Sequence, residues 1–203
     1  MVNYEIDVSN IKSTHWSELL LQIGAHSDCY DYARTISYKE FWDNSPRGDW
    51  LLLFAANEGS TPHKLIVKAA CQCARLALPY VKQGELRPLK AIETTERWIE
   101  DKATIEEVKL ATDATYPATS YASYAAATYA AYASYAAYYA AYYAAYYAAN
   151  VAFSVTASYA VSYAADVKKE MQQKTADIVR SIIPMPTQAV SEFERLIKMK
   201  AFW

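Results

Sequence analysis

Few side chains in this sequence have the type and spacing for chemistry. Cys71 and Cys73 flank one residue on a predicted helix, where their thiols point about 200° apart, so they do not share a metal unaided and read as small core residues. His15, His26 and His63 are scattered, with no HExxH or other paired ligand spacing, and read as surface or capping residues. There is no Gly-rich phosphate loop, no GxSxG and no Cys/His nucleophile pattern. These readings predict a non-enzymatic chain without metal or cofactor. Arg47-Gly48-Asp49 spells an adhesion tripeptide, but it falls in the first turn of a predicted helix, which argues against adhesion.

The chemistry that remains is recognition by rings and cations. Residues 131 to 150, AYASYAAYYAAYYAAYYAAN, are almost wholly alanine and tyrosine. On a helix Tyr121, Tyr124, Tyr129, Tyr132, Tyr135, Tyr138, Tyr139, Tyr142, Tyr143, Tyr146 and Tyr147 share roughly one half of the cylinder. The other half is alanine with Ser123 and Ser134, so one side suits close backbone approach and the other presents stiff rings with polar tips. The stretch 88–101, PLKAIETTERWIED, sets Leu89, Ile92, Thr95, Trp98 and Ile99 on one face and Lys90, Glu93, Thr94, Arg97 and Asp101 on the other. Glu93 with Arg97, and Arg97 with Asp101, have i,i+4 ion-pair spacing. Lys64, Lys68, Gln72, Arg75 and Lys82 form the polar stripe of a second helix. A stripe of this kind facing tyrosines makes a basic cleft with aromatic walls, suited to a nucleotide or an acidic protein. The candidate binding residues are therefore Arg47, Trp50, Arg75, Arg87, Lys90, Arg97 and Trp98, with Tyr135, Tyr139, Tyr142, Tyr143 and Tyr146 on the ring-bearing face.

The elements that must position these residues are helices. Only four glycines occur, none after residue 84, and no run alternates with period 2. Ser13 or Thr14 starts a helix ending near Gly24, and Ser37 with Glu40 has capping-box spacing. Ser45-Pro46 opens a helix that stops at Gly59, and Thr61-Pro62 opens one running to about Lys82. Gly84 breaks the chain before Arg87-Pro88, Thr104 with Glu107 forms another capping box, and Pro184 and Pro186 precede a last amphipathic helix carrying Val190, Phe193, Leu196 and Ile197. From Ala114 to Ala165 no charged residue or histidine appears. Weakly apolar alanine, many phenol hydroxyls and the lack of a basic flank argue against a membrane span. A single helix from Ala118 to Ile183 would be on the order of 100 Å long, so an antiparallel hairpin is expected. The organisation predicted is one all-α domain: short helices over 14–116, a long Ala/Tyr-rich hairpin over 118–183 and a C-terminal helix over 188–200.

With 203 residues, 53% of them hydrophobic, the chain has ample material for one core, and its net charge of −2 points to neither a nucleic-acid polymer nor a membrane surface. Three cysteines and an N-terminus without an apolar stretch fit a reduced, cytoplasmic setting.

The segments PRGDWLLLFAANEG, CQCARLALPYVKQGELRPLKAIETTERWIEDKATIEEVKLATDATY and ADIVRSIIP, together with the alanine-rich stretch, resemble the immunity-protein-five-like family of bacterial polymorphic-toxin and phage-related gene neighbourhoods. The likeness spans about residues 18 to 186, and its most specific pieces are RGDW at 47–50 and RPLKAIETTERW at 87–98. Arg47, Asp49, Trp50, Arg75, Arg87, Pro88, Lys90, Glu93 and Trp98 match the family's motif positions. The resemblance implies an all-helical protein that neutralises a toxin by stoichiometric binding. This chain departs from its relatives by placing tyrosine where they scatter Arg, Asp or His along the alanine-rich helix. The alternative expectation is a sponge that sequesters a nucleotide-type immune signal by stacking and arginine–phosphate pairing. Two-faced helices of this kind also favour a homodimer.

Overall fold

Reciprocal bonds between side chain and backbone fix two of the helix starts. Ser37 accepts from the Glu40 amide while Glu40 accepts from the Ser37 amide at 2.8 Å, and Thr104 and Glu107 repeat the exchange, as the spacing predicts. In the computed structural model, which describes residues 14–76, 78–80, 84, 86–114 and 165–200, these boxes open α3 (Tyr38–Asn44) and α7 (Ile105–Asp113). The others are α1 (Glu18–Gln22), α2 (Ser27–Ala33), α4 (Gly48–Asn57), α5 (His63–Arg75), α6 (Arg87–Ile99), α8 (Ala165–Ile182) and α9 (Gln188–Lys200), with a single 3₁₀ turn at Leu78–Tyr80. The fold is all-α, and no strand occurs among the described residues. Residues 115–164 lie outside this description; of the Ala/Tyr-rich hairpin expected over 118–183, only the stretch that falls in α8 is among the described residues.

Several boundaries and one whole helix differ from the sequence reading, and α4 starts at Gly48 after Arg47 rather than at Ser45-Pro46. α1 starts after Ser17 rather than at Ser13 or Thr14; it ends as expected at Gly24, whose φ of 72° lets the Gly24 and Ala25 amides reach back to the Leu21 and Leu20 carbonyls. α5 stops at Arg75 rather than near Lys82, because Pro79 supplies no amide donor and disfavours helix in the residue before it. α2 was not anticipated; its N-cap is His26, whose Nδ1 accepts from the Asp28 amide at 3.4 Å.

Among the described residues the buried apolar side chains form one cluster. Its aromatic part gathers Trp16, Tyr38, Phe41 and Phe54, with Trp16 edge-on to Tyr38 at 5.2 Å and to Phe54 at 6.1 Å, and Tyr32 leaning on Trp50 at 5.5 Å. α4 packs on α8 and α5, α5 on α6 and α8, and α6 on α7, while α1 lies against α2 and α9. The predicted faces of α6 are observed: Ile92 and Thr95 are buried while Lys90, Glu93 and Arg97 are exposed. Val190 and Phe193 of α9 are likewise buried. Two crossings tie the far end of the chain to its beginning. Gly48 of α4 lies directly against the backbone of Thr175 in α8. Arg180 of α8 donates to the Trp42 carbonyl at 2.7 Å and to the Ser45 carbonyl.

Candidate functional site

The candidate residues fall into three places. At the start of α4, Arg47 grips Asp49 in a two-pronged pair, Nε to Oδ1 at 2.9 Å and the terminal nitrogen to Oδ2 at 2.5 Å, and lies 4.7 Å over the Trp50 ring. Trp50 and Asp49 are both buried. This corner is turned inward, which is why its Arg-Gly-Asp order has no adhesive geometry.

Between α5 and α6, Arg75 makes the same fork with Glu96, Nε to Oε1 at 2.7 Å and a terminal nitrogen to Oε2 at 2.5 Å, and Gln72 adds a contact at 3.4 Å. Both side chains keep partial contact with solvent, which leaves this pair only a modest net contribution. Further along the same seam Lys64 bonds Asp101 at 2.6 Å and sits 5.8 Å over Trp98, whose other neighbour is the His63 ring at 5.9 Å. Lys64 and Arg75 of the basic stripe therefore face carboxylates of α6 and of the turn that follows it. Glu96 was missed by the sequence reading; it sits 21 residues from Arg75, and no local pattern announces the pair.

The Glu93–Arg97–Asp101 ladder expected on α6 is replaced by a cap. Asp101 takes φ 59°, the left-handed position after the helix, so that its own amide and that of Lys102 return to the Trp98 and Arg97 carbonyls. The turn swings Asp101 toward Lys64, and Arg97 donates instead to the Lys102 carbonyl at 2.9 Å.

Arg87 and Lys90 lie on the first turns of α6, Lys90 exposed and Arg87 half-buried. The structure thus brings together Arg47 with Trp50, and aligns Arg75 and Trp98 along the α5–α6 seam, with Lys90 and Arg97 on the outward side of α6. Tyr135, Tyr139, Tyr142, Tyr143 and Tyr146 lie outside the described residues. Among the described residues no cluster of His, Cys, Asp and Glu is arranged to hold a metal, and no helix is long and apolar enough to cross a membrane.

The three thiols are free and buried. Burial, then the Asp49 carboxylate, pushes Cys29 up to about 12 against the opposing pull of Arg47; burial and then Asp49 push Cys73 up to about 12; and burial, then Glu96, raises Cys71. At pH 8 the native protein is therefore expected to react with a thiol reagent about a thousandfold more slowly than the unfolded chain, with all three sites labelled only in denaturant. Mass spectrometry of the labelled chain checks this. Rapid labelling of Cys71 or Cys73 in the native state would contradict their burial.

Compared with family models, with characterised proteins and with solved structures, the chain matches none.

Proposed function

We propose that the protein is a non-catalytic immunity or anti-defence factor that neutralises a protein toxin or effector by one-to-one binding through the outward side of α6. One observation carries the reading most. α6 is held by its buried face against α5 and α7, and presents Lys90, Glu93 and Arg97 to solvent, with Leu86 exposed just before it and Leu110 exposed on the neighbouring α7. A rigid helix with mixed charge beside apolar side chains suits a protein surface, since little conformational freedom is lost on docking. The resemblance of RPLKAIETTERW to immunity proteins supports the same reading.

The alternative is sequestration of a nucleotide-type signal by Tyr, Trp and Arg. Of the arginines that could serve it, Arg75 would have to leave Glu96 and Arg47 would have to leave Asp49 before meeting a phosphate, while Arg97 donates to the Lys102 carbonyl. The Arg75 and Arg47 guanidiniums are already engaged bidentately, which favours the protein-binding reading.

Native mass spectrometry of the complex from host cells, with co-expression rescue from a neighbouring toxin gene, tests the proposal. Lys90→Glu combined with Arg97→Glu is expected to weaken the complex at least tenfold with Tm unchanged. A released nucleotide without a polypeptide partner, or full rescue by the double variant, would overturn it.

A further inference from the structure

We infer that the outward side of α6 also pairs with a second copy of the chain, in an antiparallel homodimer that covers this face until a protein partner displaces the second copy. The pairing stands on the charge pattern of α6; its regulatory consequence rests on the binding role given to the same side above. Four exposed side chains, Lys90, Glu93, Arg97 and Glu100, run along one stripe of α6 at spacings of three, four and three residues and alternate in sign. Glu100 is the C-cap, and its amide still bonds the Glu96 carbonyl at 3.3 Å, which keeps it in helical register.

The order of these charges is self-complementary about Thr95. Lys90 stands five residues before Thr95 and Glu100 five after it, while Glu93 stands two before and Arg97 two after. A two-fold axis crossing α6 at that level sets Lys90 against the partner's Glu100 and Glu93 against the partner's Arg97, and each contact occurs twice. A parallel pair in register would set like charge on like, so repulsion selects the antiparallel arrangement as firmly as attraction does.

The fold leaves the stripe ready for such a partner. Glu93 and Arg97 have the i,i+4 spacing of an ion pair, yet neither Lys90 nor Glu93 enters one among the described residues. Arg97 donates to the Lys102 carbonyl at 2.9 Å and Glu100 accepts from the Lys102 ammonium at 2.8 Å, both contacts in solvent and weak enough to exchange. Leu86, four residues before Lys90 on the same stripe, is 54% exposed, and Leu110 of the adjoining α7 is 69% exposed. They add apolar surface for a second copy to cover. Exposed ion pairs are individually weak and screened by salt, so the dimer is weak and salt-sensitive, which allows a tighter partner to replace the second copy.

Sedimentation velocity of the full chain tests the pairing with no toxin present. The wild type should pass from monomer to dimer as its concentration rises in low salt, and raising NaCl from about 0.05 to about 0.5 M should weaken the dimer roughly tenfold. Lys90→Glu with Arg97→Glu makes the stripe wholly acidic, and Glu93→Lys with Glu100→Lys makes it wholly basic. Each double variant alone should stay monomeric with Tm close to wild type, and an equimolar mixture of the two should form a one-to-one heterodimer. A wild type that stays monomeric at high concentration in low salt would overturn the inference, as would a dimer that either variant keeps on its own or a mixture that does not associate. Toxin rescue is read separately. Dimerisation by these rules without any rescue supports the pairing and counts against the toxin-binding reading alone, whereas a polypeptide partner captured on the intact dimer would overturn the covering of the face.

Discussion

Gly48→Ala lowers the stability of the fold by roughly 3 kcal/mol, the upper part of the usual range for overpacking, which is about 6 to 12 °C in Tm for a chain of this size. The cause lies in α8. A Cβ built on Gly48 would stand 2.5 Å from the Thr175 carbonyl carbon and 2.7 Å from both its oxygen and its Cβ. Two of those three atoms are backbone, so no rotamer change relieves the contact and the α4–α8 crossing must open. That crossing carries Trp50, Leu51, Leu52 and Phe54 on one side and Ala176 and Val179 on the other, all buried. Helix propensity alone predicts the opposite sign, because alanine in place of glycine favours a helix by about 1 kcal/mol. A useful comparison is Gly59→Ala. Gly59 has φ 89°, where an L side chain is strained, yet its added Cβ meets nothing within 4 Å. Its cost is confined to the backbone, about 1 to 2 kcal/mol. Urea titrations of the two variants should therefore rank Gly48→Ala as the worse one, although Gly48 is the glycine with ordinary helical φ. Thr175→Gly should not rescue it, since the backbone atoms remain. A Gly48→Ala protein as stable as wild type would mean that α4 and α8 do not approach so closely.

What the sequence made legible was what is local. Ser37 with Glu40 and Thr104 with Glu107 lie three residues apart and close their capping boxes without help from the rest of the chain. The two faces of α6 follow from a 3.6-residue period and are found as expected. The partners that join helices were not legible. Arg75 and Glu96 are separated by 21 residues and Arg180 and Trp42 by 138, and nothing in the neighbourhood of either arginine marks its acceptor. For the same reason a stripe of lysine and arginine on α5 read as an open basic cleft, while the fold lays Glu96 and Asp101 along it. Asp101 is an intermediate case. Its spacing from Arg97 fits an ion pair, but the spacing argument holds only inside a helix, and Asp101 is the residue after the end. Pro79 was a visible signal for the end of α5 that Gly84 overshadowed.

Arg180→Ala is expected to cost about 3 kcal/mol, because it strips partners from two buried carbonyls at once. α3 ends at Asn44, and the carbonyls of Trp42 through Ser45 have no acceptor role left inside the helix. Arg180 reaches across from α8 and donates Nε to the Trp42 carbonyl at 2.7 Å and a terminal nitrogen to the Ser45 carbonyl, while its other terminal nitrogen holds Asp177 at 3.0 Å. Trp42 and Ser45 are both buried, so water is poorly placed to take over. The guanidinium also sits at the negative end of the α3 dipole, which adds a favourable charge interaction. A planar fork is needed to serve two carbonyls in different directions; a lysine ammonium placed there satisfies one of them well. Arg180→Lys should accordingly recover about half of the loss, and Asp177→Ala, whose carboxylate is largely solvent-exposed, should cost no more than about 0.5 kcal/mol. Hydrogen exchange separates this role from a general loosening of the core. In Arg180→Ala the amides at the C-terminal end of α3 should lose protection by a larger factor than those of α5 and α6, which Arg180 does not touch. Equal loss across all helices would assign Arg180 to bulk packing instead of to the end of α3.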